Sequence, residues 1–161
     1  MIVIHDEKPE NYPVTHRVIT TAFGRPDEAN LVDALRCDGD LAVSLVAKDG
    51  DTLVGHIALS RMQSPTGALG LGPIAVLPEN QARGIGSALI RAALEQATKD
   101  SYGFVFVLGA PDFYQRFGFS TDLAAQFSCA YAGPYFMALT LSPPDVASGS
   151  AVYAKAFATL S

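Results

Sequence analysis

Tryptophan is absent, cysteine occurs twice, and only 17% of the 161 residues are charged. Two cysteines allow at most one disulfide, so the chain is no disulfide-held scaffold. Cys37 and Cys129 read as two buried free thiols. No Cys/His cluster has metal-ligand spacing, and no metal is expected. No apolar run approaches the roughly 20 residues that span a bilayer. The opening "MIVIHDEKPE" turns acidic and lacks the layout of a signal peptide. A cytoplasmic protein that does not engage membranes is the expectation. The formal net charge is −5, without a Lys/Arg block, which argues against nucleic acid as a partner. It does not argue against a phosphorylated ligand, because helix N-termini make local positive potential whatever the global sign.

What is present is apolar. Hydrophobic residues make up 49% of the chain, enough for one buried core, and no linker or repeat divides it. A single domain over residues 1–161 is expected. "MIVIH" reads as a strand. Val14, Val18, Ile19, Ala22 and Phe23 recur at helical spacing after Asn11, a candidate cap. Pro26-Asp27-Glu28 is a helix-start signature ahead of Leu31, Val32 and Leu35. Apolar runs on both sides of Asp49-Gly50-Asp51 predict a hairpin. "GALGLGPIAVLP" is a further strand, and a helix follows from Gly84 to Lys99. "FVFVLG" reads as a buried central strand. "PDFYQRFG" reads as a helix with Pro111 first and Gly118 just past its end. "PYFMALTL" is a strand, and "SAVYAKAF" a last edge strand after the loop "SPPDVASGS". This order predicts an α/β protein with a mixed sheet and helices on both faces. The strand–helix–strand unit over 69–108 should be a parallel crossover.

The stretch "NQARGIGSAL" places two glycines where a helix should begin. Glycine inside a helix costs roughly 1 kcal/mol relative to alanine, so a close approach to the backbone is the natural reason. The first turn of a helix leaves amides without internal partners at the positive end of its dipole. With Gly84 and Gly86 bare, a pyrophosphate can reach them. Arg83 adds a cation, and Ser87 can donate a hydroxyl. A Walker loop needs a Lys after its last glycine, and none follows. A Rossmann turn needs G-x-G-x-x-G and a later acidic residue; Ala88 and Leu89 follow Gly86, and "FVFVLG" ends apolar.

What fits is [Q/R]-x-x-G-x-[G/A], filled by Gln81, Gly84 and Gly86 around Arg83. Here the chain resembles the GCN5-related N-acetyltransferase superfamily. "LGPIAVLPENQARGIGSALI" looks like that family's coenzyme A motif with its preceding strand. "VLGAPDFYQRFGF" is similar to its second signature, with Tyr114 five residues before Phe119. With "GHIALS", the pattern looks most like the YhbS-like branch of predicted acetyltransferases. The resemblance covers about residues 10–157.

The resemblance implies an acyl-CoA N-acyltransferase fold: a mixed, mostly antiparallel sheet with a splayed parallel pair, 69–77 and 104–109. Acetyl-CoA is then the cosubstrate, and an amine on a small molecule or peptide the acceptor. Ile74, Ala75, Val76, Gln81, Arg83, Gly84, Ile85, Gly86 and Ser87 are the implied coenzyme residues, with a main-chain amide of Ile74 or Val76 holding the oxyanion. Tyr114 is the implied acid for the leaving thiolate. "LGLGPIAV" lacks the carboxylate many relatives carry, leaving His56 or a water wire as base. Glu28 is a candidate for the acceptor cleft. Blander readings stand beside these: turn glycines, a core aromatic at 114, a structural histidine at 56, and at Glu28 an acid serving the helix dipole. Glu79 and Arg116 read as surface charges, with Arg116 close to the coenzyme. A non-catalytic acyl-CoA-binding sensor or partner module is the alternative function. The apolar "AVYAKAFATL" is a candidate dimer contact.

Overall fold

A computed structural model of the protein describes residues 1–142 and 148–159. Strand β1 (Ile2–Asp6) leads into helices α1 (Tyr12–Phe23) and α2 (Asp27–Cys37). Asn11 sits at the N-cap of α1 with its side-chain oxygen accepting from the Lys8 amide (2.9 Å) rather than from the helix. The hairpin follows as β2 (Leu41–Asp49) and β3 (Thr52–Arg61), then β4 (Ala68–Val76), α3 (Ile85–Lys99) and β5 (Phe104–Leu108). The chain continues through the short helices α4 (Pro111–Tyr114) and α5 (Thr121–Ala124), then β6 (Phe127–Ser128), β7 (Phe136–Thr140) and β8 (Gly149–Ser150). The helix read over "PDFYQRFG" is thus one turn of α-helix and one of 3-10 helix, closed by Gly118 in the left-handed region.

The main sheet has the order β1-β2-β3-β4-β5-β7. All neighbours are antiparallel except β4 and β5, joined by the parallel crossover through α3. Side-chain alternation along each strand decides which layer covers which residue. Val43, Leu45, Ile57, Leu59, Leu69 and Leu71 pack with Leu89, Ile90 and Ala93 of α3. On the opposite face Ala58 and Ala75 meet Ile19, Ala29 and Val32 of α1 and α2. This is the expected mixed fold with helices on both faces.

Two irregularities shape β4. Ile57 pairs with Ile74 but Leu59 pairs with Leu71, so β4 carries one extra residue between them, a β-bulge. Gly72 takes φ +128° there, a value L side chains rarely adopt. Second, the parallel ladder runs only from Ala68↔Phe104 to Leu71↔Val107, whereas β4 continues to Val76. Beyond Leu71 the two strands part, and a gap opens between them.

The C-terminal expectations need correction. The stretch "SAVYAKAF" is not an edge strand of the main sheet. Instead β8 pairs with β6 in a separate two-stranded sheet, Val152 bridges to Ser64, and Lys155–Thr159 is 3-10 helix. Side-chain packing holds this segment where a ladder was expected: Ala154 and Ala156 sit against Leu31 and Leu35 of α2. The Tyr153 ring lies over Gly70, where an added Cβ would come within 2.5 Å of it. Of the stretch proposed for a dimer contact, Ala151, Tyr153, Ala154 and Ala156 are buried within their own chain while Val152 is exposed, and Leu160 lies outside the described residues, as does the loop over 143–147. The thiols are free but not buried: Cys37 ends α2 at the surface and is exposed, and Cys129 is half-buried. Among the described residues no helix is long and apolar enough to cross a membrane, and no cluster of three His, Cys, Asp or Glu side chains could hold a metal ion.

Candidate active site

The cleft is built where β4 and β5 diverge, and it has two halves that share Ile74. The first, about 560 Å3, is lined by Ile74, Val76, the loop over 80–82, the first turn of α3, Phe113 and Arg116. Gly84 is the N-cap of α3, in the left-handed region at φ +79°, and no side chain caps that end. The first-turn amides therefore keep their hydrogen-bonding capacity, and the dipole points its positive end into the groove. A Cβ at Gly86 would meet only Ile74 Cδ1 at 3.9 Å and Val76 Cγ2 at 4.0 Å, so the cradle is open to a ligand. Gln81 anchors the loop by donating from Nε2 to the Val76 carbonyl (3.1 Å). Ile85 is buried beneath the turn, and Ser87 faces the groove.

Strand phase decides which peptide groups face the gap. Leu77 donates its amide to the Val54 carbonyl on β3 (2.9 Å). By alternation the peptide groups of Ala75 also face β3, and those of Ile74 and Val76 face the gap. The Gln81 bond to the Val76 carbonyl agrees. Ala75 is thus a correction: its side chain is buried against α1 and α2, and its backbone faces β3.

Arg83 is a second correction. Its guanidinium turns out onto Asp49 (3.3 Å), an exposed ion pair, and does not line the groove. The cation that does is Arg116, stacked 4.6 Å over the Phe113 ring with Nη2 3.5 Å from Ser87 Oγ. Arg116 was expected close to the coenzyme, and the 3-10 turn that follows α4 brings it to Ser87 in the first turn of α3.

Tyr114 lies on the β5 side of the gap. Its ring packs so closely on Gly109 that a Cβ there would overlap it, and it meets Phe113 and Phe119 edge-on at 5.0 and 5.8 Å between centroids. It is largely buried and lines neither half directly. Burial pushes its phenol pKa up, so the proton is held at neutral pH.

His56 is the third correction. The bare position before it, Gly55, faces α3, so His56 points to the opposite face and lines neither half of the cleft. It is fully buried in a polar network. Ser44 Oγ donates to Glu7 Oε1 (2.8 Å), which leaves its oxygen to accept from His56 Nε2 (2.8 Å). Arg36 Nη2 donates to the same Glu7 oxygen (2.6 Å). Burial lowers the imidazole to about 4; the nearby Glu7 opposes this and Arg36 adds to it. Burial alone would raise Glu7, but Thr15, His56, Arg36 and Ser44 together hold it below 4.5. Between about 4 and 6.5 the unfolded chain binds the histidine proton and the folded chain does not. Stability therefore rises with pH across that window and is lost as pH falls through it; Glu7 acts in the same direction below 4.5. The thermal midpoint is expected to drop between pH 7 and pH 4, on the order of 5–10 °C. His56→Gln should flatten the slope between pH 6.5 and 4, as calorimetry at stepped pH would record; an unchanged slope excludes His56 as its source.

The second half of the cleft, about 510 Å3, is lined by Phe23, Glu28, Leu31, Ile74 and Leu108 together with the aromatic trio Tyr131, Tyr153 and Phe157. Glu28 is its one charged side chain. Arg25 grips that carboxylate through Nε to Oε1 (3.0 Å) and Nη2 to Oε2 (2.5 Å), and this holds it below the usual carboxylate range. The aromatic trio was not singled out from sequence, and Arg116 was read as a surface charge close to the coenzyme.

The comparisons with known proteins agree with this geometry. Residues 6–119 match the family model described as the acetyltransferase (GNAT) family. The uncharacterized N-acetyltransferase YjhQ of Escherichia coli K12 is 41% identical over 126 residues, 73% of this chain and 67% of that protein. A GNAT family acetyltransferase from Brucella melitensis, crystallised with acetyl-CoA, superposes with TM-score 0.84 at 33% identity over 98% of both chains. YhbS from Escherichia coli, crystallised with CoA, gives 0.88 at 29% identity over 98% of this chain and 92% of that one. The chain belongs to the acetyltransferase (GNAT) family.

Proposed function

We propose that this protein transfers the acetyl group of acetyl-CoA directly to a primary amine. The observation that carries the reading is the uncapped first turn of α3, opening on a gap faced by the peptide groups of Ile74 and the amide of Val76, whose carbonyl is held by Gln81. The coenzyme diphosphate rests on the amides of Ile85, Gly86 and Ser87, with Arg116 as its counter-cation and Gln81 fixing the loop. The pantetheine arm takes the place of a missing strand beside Ile74 and Val76. Acetyl-CoA supplies an activated thioester; the chain supplies position and protons.

An alkyl amine of pKa about 10 arrives as the ammonium ion. Glu28, anionic beside Arg25, attracts it into the second half of the cleft. One proton leaves through water at the cleft mouth. The freed lone pair attacks the thioester carbon, and a gap-facing amide of β4 holds the oxyanion. One such donor is worth roughly 3 kcal/mol. As the C–N bond forms and the C–S bond breaks, the Tyr114 phenol protonates the departing sulfur, and the second proton, shed by the acylated nitrogen, returns through water to the phenolate. Release of free thiol from acetyl-CoA with a panel of primary amines tests this. Amine-dependent release supports transfer. Tight acetyl-CoA binding without release for any amine overturns it and favours a sensor of acyl-CoA.

A further inference from the structure

The second half of the cleft has a composition that restricts its ligand. Of the large hydrophobic side chains exposed among the described residues, Phe23, Leu108 and Tyr131 stand at this one mouth, each 42% accessible. Inside, Leu31, Leu71, Pro73 and Ile74 continue the apolar lining. The far wall is aromatic: Tyr153 meets Tyr131 edge-on at 5.6 Å and Phe157 at 5.0 Å between centroids, and it is pressed onto Gly70. A monomer that gathers exposed apolar groups around a concavity marks a ligand site. Among the described residues Glu28 is the one charge on the lining, at 6% accessibility, with its carboxylate forked by Arg25.

From this arrangement we infer that the acceptor is a small lipophilic primary amine. It carries one ammonium group, set against Glu28, on an apolar ring or chain that fills the aromatic half of the cleft. The inference rests on the transfer reaction proposed above and names its substrate class. The volume, about 510 Å3, lies within the roughly 300–1,000 Å3 typical of small-molecule sites. The lining also excludes other amines. An amino acid would bring a carboxylate to a lining whose nearest cation, Arg25, is already forked onto Glu28. A diamine would bury its second ammonium against Tyr131, Tyr153 and Phe157 without a carboxylate. An unpaired charge taken out of water costs several kcal/mol. Apolar bodies gain instead, at about 0.8 kcal/mol for each buried methylene.

The test is an acceptor series at fixed acetyl-CoA, followed by thiol release. It compares 2-phenylethylamine and hexylamine with 1,4-diaminobutane, lysine, glutamate and a trialanine peptide. The two lipophilic amines are expected to show kcat/KM at least tenfold above every other acceptor. In Phe23→Glu, which adds a carboxylate at the exposed rim, the preference should move toward the diamine by tenfold or more. Glu28→Gln should raise KM for 2-phenylethylamine and leave acetyl-CoA affinity unchanged. A preference for the diamine, an amino acid or the peptide in the parent protein overturns the substrate class and leaves the transfer reaction standing. So does a preference for octanoyl-CoA over acetyl-CoA with hydrophilic amines, which would give the apolar half to the acyl chain. Absence of thiol release with every amine, with acetyl-CoA still bound, overturns both.

Discussion

Tyr114→Phe is expected to lower turnover by about 10²–10⁴-fold and to leave the dissociation constant for acetyl-CoA where it was. The substitution removes one oxygen and keeps the ring. Its packing on Gly109, Phe113 and Phe119 is therefore retained, and the cradle at α3 is built from other residues. What disappears is the proton that the leaving sulfur needs. A phenol holds its proton at neutral pH, and burial raises its pKa further, so the group enters the reaction protonated. Steady-state thiol release and titration calorimetry on the same preparations separate the two quantities. Equal turnover in the parent and the variant would remove the phenol from the reaction.

The second large effect is at the cradle. Gly86→Glu should weaken coenzyme binding by at least about 100-fold, equivalent to roughly 2.7 kcal/mol. The new side chain projects from the surface on which the diphosphate rests and sets a like charge against it. The protein itself has room, since the added Cβ finds only ordinary contacts with Ile74 and Val76. Glutamate is also a better helix former than glycine, so the thermal midpoint should not fall. Calorimetric affinity with a parallel melting curve is the measurement. Retained affinity in a well-folded variant would mean that the phosphates lie elsewhere.

The architecture, and the pattern that points to the cradle, were legible in the sequence for a definite reason. Gln81, Gly84 and Gly86 act within one turn of each other, and the periods of 2 and 3.6 residues mark strand and helix locally. Tyr114 was reached through a fixed spacing to Phe119. The errors came where space and sequence part. Arg83 is adjacent to the glycines in the chain but pairs with Asp49, and the groove's cation is Arg116, carried there by the 3-10 turn after α4. His56 sits on the strand next to the gap, yet it pairs with Ala75 and shares its face, turned toward α1 and α2. The lipophilic half of the cleft draws on α1, α2, β4, the end of β5 and the C-terminal segment, and each contributes only one or a few residues. Such a lining leaves no periodic trace. "SAVYAKAF" has the composition of a strand and instead supplies Tyr153 and Phe157 to that wall.

The surplus residue at Gly72 works as a half-step in the rhythm of β4. Leu69 and Leu71 point toward α3, and without the interruption Pro73 and Ala75 would be next to do so. With it, Ile74 and Val76 take that side. Their main-chain groups turn outward together. A strand of the same length paired without that bulge would keep its hydrophobic composition, but it would offer the thioester the wrong set of nitrogens.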